Sequence, residues 1–292
     1  MKNNMTVSLE LSEQAIAKLK KTYRQQIQPS SHPYMDALIK IDGCTISIYT
    51  SKKVVFQGPL AQEMARLFQV DVPFVAHIGS DEVGTGDYFG PVCVCAAYVD
   101  ETILEKIQHL PIKDSKLLTD AQVLELTASL KHHVPFSLVV LNNERYNLMH
   151  ETDNLNQIKA KLHNQALMHL LKKIKQTPLV VVDQFTPPAT YFNYLKAEPY
   201  VVQNIEFHTQ AESKFIGVAI GAILARAAFI NSMKTLEDDY DVSLAKGASA
   251  QVDDLAVTIV MRHGWPTLDK LAKMHFKNTQ RVKARVDELQ NQ

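Results

Sequence analysis

The chain has 292 residues, more than a usual single domain, so either one large domain or a large and a small one is expected. Its hydrophobic content of 46% and charged content of 21% are ordinary for a soluble globular protein with a substantial core. No apolar run approaches the length that crosses a bilayer, and the start Met-Lys-Asn-Asn-Met lacks a signal-peptide core. These features argue against a membrane protein or a secreted one, and we expect a cytoplasmic protein.

Charge is distributed unevenly along the chain, although 31 Lys and Arg balance 31 Asp and Glu. Residues 1–70 contain nine basic and five acidic residues, which leaves 22 basic and 26 acidic residues in the remainder. A net charge of zero by itself argues against a nucleic-acid-binding protein. A basic segment on an acidic body, in contrast, suits an enzyme that holds a polyanion with one part and cations with the other.

The first 70 residues have a compact pattern of their own. Short alternating runs separated by turn residues predict strands, and Ser12 is placed to cap the first of two helices. The order β-α-β-β-β-α predicts a curved antiparallel sheet backed by helices. This pattern alone is compatible with a substrate-binding module or with a dimerisation or folding module. The predicted strands cover 6–11, 37–41, 44–49 and 54–56, and the predicted helices cover 12–25 and 60–68.

A short linker follows this segment. Asp71-Val72-Pro73 cannot extend the preceding helix, because proline lacks the backbone N–H and restricts the residue before it. The sequence therefore predicts a domain over 1–68, a linker over 69–73 and a larger domain over 74–292.

The stretch from His77 to Val99 organises the larger domain. An apolar run meets the adjacent acids Asp81 and Glu82, passes a glycine-flanked kink and resumes as a second apolar run, which predicts strand, loop and strand. Neighbouring strand side chains point to opposite faces, so the two acids share a site only if the chain bends or one acts from the loop. Cys93 and Cys95 alternate in the second run and are expected to pack as small apolar residues.

Two later segments supply further acids. The run Leu179-Val-Val-Val-Asp183 describes a buried central strand that delivers Asp183 at its C-terminal end, the edge at which open α/β sheets bind ligands. Glu212 is expected at the head of a helix rich in Gly and Ala, where the helix dipole favours a carboxylate even without a function.

The string Asp-Glu-Val-Gly-Thr-Gly-Asp-Tyr-Phe-Gly-Pro at 81–91 resembles the signature of the type 2 ribonucleases H, and its Gly-Thr-Gly form resembles the ribonuclease HIII branch. Four later segments resemble the family in the same order, and Glu212 matches the glutamate that this branch carries as its fourth acid. The resemblance implies an α/β fold, in which a ribonuclease H-like catalytic domain has a mixed central sheet flanked by helices. It also implies that the preceding domain is a small α+β, TATA-binding-protein-like module that binds substrate.

The resemblance further implies residues that contact the nucleic acid. Local structure offers another explanation for several of them, because Asn154 and the segment Lys113-Asp-Ser-Lys116 can simply begin and cap helices. The glycine-flanked loop can bring main-chain groups close to a sugar 2′-hydroxyl. The substrate-binding candidates are Gly84, Thr85, Gly86, Lys113, Ser115, Lys116, Asn154, Asn156, Lys159, Lys214, Lys246 and Lys277.

The four acids Asp81, Glu82, Asp183 and Glu212 are the candidate catalytic and metal-ligating residues. A cluster of carboxylates is costly unless cations occupy it, and hard oxygen ligands suit Mg²⁺ or Mn²⁺. Two such ions roughly 4 Å apart can activate a water and stabilise the leaving 3′ oxygen of a phosphodiester. We therefore expect an endoribonuclease that cuts the RNA strand of RNA–DNA hybrids and leaves 5′-phosphate and 3′-hydroxyl ends.

Two alternatives remain open from the sequence. One is a nuclease or transposase-like enzyme of the same fold that acts on DNA, and the other is a nucleic-acid-binding protein whose acids are structural. We expect a monomer whose partner is a hybrid duplex and not a membrane.

Overall fold

The computed structural model describes residues 5–30, 32–68, 74–112, 117–176 and 178–291. The chain divides into two compact units, Met1–Phe74 and Val75–Gln292. The predicted linker over 69–73 lies outside the described residues, and so do Lys113, Ser115 and Lys116.

The first unit is a five-stranded antiparallel sheet with two helices. Apolar side chains alternate along the strands, so that Ile39, Ile46 and Phe56 form a core with Leu19 and Met64 of the helices. The helices are α1 (Glu13–Thr22) and α2 (Ala61–Phe68). The strands, in the spatial order β1-β5-β4-β3-β2, are β1 (Met5–Glu10), β2 (Ile27–Gln28), β3 (Met35–Ile41), β4 (Cys44–Tyr49) and β5 (Lys53–Gly58).

This unit agrees with the predicted element order except for the two-residue strand β2. Ser12 caps α1 as predicted, because its hydroxyl accepts a hydrogen bond from the N–H of Ala15 at 3.2 Å. Strand β2 was not predicted, since two residues are too short to produce a periodic pattern.

The second unit is built on a mixed sheet whose parallel strands end at one edge. Strand β6 runs parallel to β9, which runs parallel to β10, while β7 is antiparallel to both β6 and β8. The carboxyl ends of β6 and β9 therefore lie side by side. The strands, in the order β10-β9-β6-β7-β8, are β6 (His77–Val83), β7 (Val92–Val99), β8 (Phe136–Leu141), β9 (Leu179–Asp183) and β10 (Ile205–His208).

Nine helices are described in this second unit, and two of them, α6 and α8, pack on the sheet beside the acid-bearing strand β6. Their bounds are α3 (Glu101–Ile107), α4 (Asp120–His133), α5 (Asn143–His150), α6 (Leu155–Leu171), α7 (Pro188–Tyr194), α8 (Ile216–Tyr240), α9 (Ala250–His263), α10 (Trp265–Leu271) and α11 (Lys277–Gln290).

Helix α8 approaches strand β6 so closely that glycine is required on both sides of the contact. A Cβ atom on Gly79 would overlap the backbone of α8 at Gly217 and Val218, and one on Gly217 would lie 3.0 Å from the backbone nitrogen of Gly79. One on Gly221 would lie 2.7 Å from the carbonyl oxygen of Cys95 in the neighbouring strand β7. The run of small residues in α8 therefore permits backbone-to-backbone packing against the strand that carries Asp81.

Three predictions of local structure are wrong. The run 200–204 is apolar enough in the sequence to predict a strand, but the pairing with β9 begins only at Ile205, where apolar side chains face the sheet. The charged run 237–241 predicts a turn in the sequence, but α8 continues through it to Tyr240 and ends at Asp241 with a left-handed φ of 52°. Charged side chains on an exposed helical face are fully compatible with a helix whose opposite face is packed.

The third error concerns Glu212. It lies in a short 3₁₀ turn, Ala211–Ser213, and α8 begins only at Ile216. A hydrogen bond from the turn to Asp183 holds it apart from the helix, and no local sequence pattern records that tertiary contact.

By length and composition, α8 passes as a candidate membrane span, which the sequence reasoning did not anticipate. Of its most apolar window, 61% is buried inside the unit against β6 and β7. Its apolar character is accounted for by its place in the core.

Candidate active site

The acids Asp81, Glu82 and Asp183 are brought to one sheet edge by two parallel strands. Ser80 of β6 lies opposite Val182 of β9, so the next positions, Asp81 and Asp183, are neighbours where the pairing of the two strands ends. The N–H of Ala211 donates to Oδ1 of Asp183 at 2.7 Å, and this bond holds the turn that carries Glu212 beside the same edge.

The acids divide between the two faces of the sheet. Gly79 and Asp81 lie on the face covered by α8, whereas the alternation of the strand turns Ser80 and Glu82 towards α6. Asp183 shares the face of Val181, which packs with Val218 of α8. Asp81 and Asp183 therefore meet on the α8 side, and Glu82 reaches the edge from the other side.

The other three acids all influence the ionisation of Asp81. Burial raises the pKa of Asp81 well above its usual range, and the negative charges of Glu82, Asp183 and Glu212 raise it further. A hydrogen bond from the N–H of Glu82 to Oδ1 at 2.7 Å opposes part of this rise.

Glu82 is held differently, because basic side chains contact both of its carboxylate oxygens. Nζ of Lys159 forms an ion pair with Oε1, and Nε2 of His163 lies 2.9 Å from Oε2. Burial alone would raise the pKa of Glu82, but His163 and Lys159 together outweigh it and lower the pKa. Its carboxylate is therefore kept ionised in a buried position.

This donor set fits a divalent cation such as Mg²⁺ or Mn²⁺. All four acids carry hard oxygen atoms, although both oxygens of Glu82 also contact Lys159 and His163. The crowding of negative charge around Asp81 is a penalty that a bound cation would remove. Within the part of the chain that the structure describes, no three acidic, histidine or cysteine side chains already form a metal-ligand set.

The Gly84-Thr85-Gly86 loop is anchored at its base and open at its tip. A Cβ atom on Gly84 would overlap the carbonyl oxygen of Pro91, whereas one on Gly86 would meet no atom within 4 Å. The exposed main chain at Gly86 is thus accessible to a ligand.

A second loop, which carries Lys246, is joined to the first. The N–H of Gly247 donates to Oδ1 of Asp87 at 2.6 Å, and its carbonyl accepts from the N–H of Tyr88 at 2.9 Å. Lys246 itself pairs with Asp120 at 2.5 Å, and Asp120 also accepts from Arg226 at 3.0 Å.

The remaining substrate-binding candidates differ in their surroundings. Lys214 and Lys277 are exposed, Asn154 caps α6 by accepting from the N–H of Gln157 at 2.9 Å, and Asn156 is half-buried. Lys159 was expected to line a groove, but its side chain is only 9% exposed and faces Glu82. The position of α6 against the sheet turns it inward.

Sequence reasoning missed His163 and Lys273. His163 follows Lys159 by four residues, the spacing that places two side chains on one helical face, so a helical projection could have paired them. Lys273 is fully buried and donates to the carbonyl oxygens of Asp87 at 2.8 Å and Gly90 at 2.5 Å. No local pattern marks a lysine for burial.

Comparisons with known proteins identify the family of this chain. The family model for ribonuclease HII matches residues 78–279, and a model described as a domain of unknown function, DUF3378, matches residues 6–73. The fold is that of the type 2 ribonucleases H. Ribonuclease HIII of Bacillus subtilis strain 168 is 38% identical over 304 aligned residues, which cover 96% of this chain and 97% of the relative. The chain belongs to the ribonuclease HIII family.

Solved structures support the same fold. The crystal structure of Bst-RNase HIII in complex with Mn²⁺ has a TM-score of 0.74 at 31% identity and covers 97% of this chain and 100% of that one. Aquifex aeolicus RNase H3 has a TM-score of 0.57 at 24% identity, covers 92% of this chain and 99% of that one, and is similar in fold.

Proposed function

We propose that this protein is a divalent-metal-dependent endoribonuclease that hydrolyses the RNA strand of RNA–DNA hybrids and leaves 5′-phosphate and 3′-hydroxyl ends. The observation that carries the proposal is the convergence of Asp81, Glu82, Asp183 and Glu212 at one sheet edge, where the last three raise the pKa of the first. The Mn²⁺ complex of a similar ribonuclease HIII supports the same class of cofactor.

Asp81 and Asp183 are the proposed shared ligands, and Glu82 and Glu212 complete the set. When bound, two Mg²⁺ or Mn²⁺ ions supply an activated water and stabilisation of the leaving 3′ oxygen. The chain fixes the acids for this task, because Asp183 is held by the N–H of Ala211 and Asp81 by the N–H of Glu82.

Selection of RNA is assigned to the Gly84-Thr85-Gly86 loop. A 2′-hydroxyl both donates and accepts hydrogen bonds, so exposed main-chain groups can distinguish ribose from deoxyribose. The loop base is fixed through Asp87 and Gly247, which holds the accessible main chain at Gly86 in a defined position four residues after Glu82.

The first unit is proposed to bind substrate through the sheet face opposite its helices. The pairing of the strands places Thr6, Gln57, Thr45 and Lys40 in one row across four strands, while the alternate side chains form the core. A row of hydroxyl, amide and ammonium groups suits the sugar–phosphate backbone of a nucleic acid.

The test is a cleavage assay on four labelled substrates: an RNA–DNA hybrid, a DNA duplex with one ribonucleotide, plain RNA and plain DNA duplex. Each is incubated with Mg²⁺, Mn²⁺ or chelator. Cleavage of the hybrid only with a divalent ion is expected. Equal cleavage of plain RNA would refute the substrate class, and a D81N variant with unchanged activity would refute the catalytic role of the acids.

A further inference from the structure

Glu82 is enclosed by two basic side chains of one helix, which we call the Glu82 clamp: Lys159 and His163. The three side chains are nearly inaccessible, with exposures of 11% for Glu82, 9% for Lys159 and 0% for His163. Each clamp residue contacts a different carboxylate oxygen, so the carboxylate can neither rotate nor exchange its partners for water without breaking a buried contact.

The clamp is itself supported by neighbours from both parallel strands. Nδ1 of His163 lies 2.8 Å from Oγ of Ser80, which shares a strand face with Glu82. The ring of Phe185, just beyond β9, stacks on His163 with centroids 5.3 Å apart, and Nζ of Lys159 lies 4.0 Å from the same ring centroid. These contacts fix the rotamers of both clamp residues.

We propose that Lys159 and His163 are positioning residues that hold Glu82 towards α6 and thereby set the affinity of the acidic edge for divalent cations. This inference rests on the proposed function. The ammonium group of Lys159 offsets the charge of one of the four clustered carboxylates, so the edge attracts cations less strongly than four uncompensated acids would. Because Lys159 faces inward, it acts through Glu82 and not by contact with the substrate.

The proposal predicts opposite effects on metal binding and on turnover. Lys159→Met removes the charge but keeps an apolar stem against Phe185, so the affinity for Mn²⁺ should rise by about three- to tenfold. Turnover should fall by roughly tenfold to hundredfold because Glu82 loses its fixed orientation, while KM for the hybrid stays unchanged.

The experiment is a calorimetric titration of the full chain with Mn²⁺ alone, followed by steady-state kinetics on the hybrid. Lys161→Met is the matched control, since Lys161 lies on the same helix and pairs with Asp153 and Glu198, away from the acidic edge. Its titration should equal that of the wild type. In an E82Q background, Lys159→Met should cause no further loss of turnover, because the residue it positions is already changed.

A second pair of variants covers the case in which Lys159→Met fails to fold. His163→Gln can still donate an N–H to Glu82, whereas His163→Leu cannot, so turnover should be higher in the first at equal melting temperature. Equal turnover in both would overturn the proposal.

Other outcomes are equally decisive. Identical Mn²⁺ titrations of Lys159→Met and Lys161→Met would overturn the proposed role of the Glu82 clamp but not the proposed function. A raised KM with unchanged turnover in Lys159→Met would have the same consequence. Failure of the wild type to bind Mn²⁺ and to cut the hybrid would overturn the proposed function and the clamp with it.

Discussion

Replacing Lys273 by Met should change how stability depends on pH. Burial lowers the pKa of Lys273 to about 7, against an ordinary value of 10.5, although the charge of Asp87 opposes the shift. Between about pH 7 and pH 10.5 the unfolded chain therefore binds a proton that the folded chain does not. The free energy of unfolding contributed by this group consequently rises with pH across that window.

The slope follows from the linkage of proton binding to folding. One proton of difference corresponds to about 1.4 kcal/mol for each pH unit, or roughly 4–5 kcal/mol across the whole window. Lys273→Met removes this term and leaves the carbonyl of Asp87 without its lysine donor, which costs about 1–3 kcal/mol. The wild type should thus gain stability over the variant as the pH rises.

The assay is urea denaturation at pH 7, 8 and 9, followed by the fluorescence of Trp265, the single tryptophan, which lies in the second unit. Subtracting the variant from the wild type cancels the other titrating groups. Lys283→Met, at an exposed position of α11, is the control and should show no pH-dependent difference. A difference between the wild type and Lys273→Met that stays constant over this range would refute the reasoning.

Three further predictions concern the site and its scaffold. Asp183→Asn should keep the hydrogen bond from Ala211 and bind the hybrid normally in chelator. Its cleavage rate should fall on the order of 1000-fold, because a metal ligand loses its charge. A normal cleavage rate would contradict this prediction. Asp87→Ala should raise KM for the hybrid with little change in melting temperature, because it removes the hydrogen bond from Gly247 that joins the two loops. An unchanged KM would show that this bond does not contribute to substrate binding. Gly79→Ala should lower the melting temperature by more than about 10 °C or prevent folding, because its Cβ would overlap the backbone of α8. A variant that is as stable as the wild type in thermal denaturation would show that the helix can shift.

The location of the acids was predictable because it depends on local patterns. An apolar run that ends in an acid predicts a strand that delivers a carboxylate to the sheet edge, and Asp183 is the last residue of β9. Asp81 and Glu82 instead lie within β6, which continues to Val83. The division of Asp81 and Glu82 between two sheet faces follows from the same alternation. The parallel pairing of β6 with β9, which places the two strands side by side, could not be predicted from the sequence and is seen only in the structure.

The surroundings of the acids were not predictable in the same way. Lys159 lies in the first turn of an amphipathic helix, and its sequence neighbours do not reveal whether it faces the groove or the sheet. That choice is made when α6 packs on β6 and β7, where the buried Glu82 offers it a partner. Glu212 likewise takes its place from the hydrogen bond that its neighbour Ala211 donates to Asp183, 28 residues earlier in the chain, and not from helix propensity.

Strand β6 is supported in two unlike ways. On the side of Asp81 it touches α8 through main-chain atoms at Gly79 and Gly217, so the spacing there is set by backbone dimensions that no substitution can adjust gradually. On the side of Glu82 it rests on a lysine, a histidine and a phenylalanine, each of which can be exchanged for a residue of another size or charge. Variation in cation preference within this fold should therefore arise from residues on the α6 side. The α8 side should keep the distance between the helix and the acid-bearing strand constant.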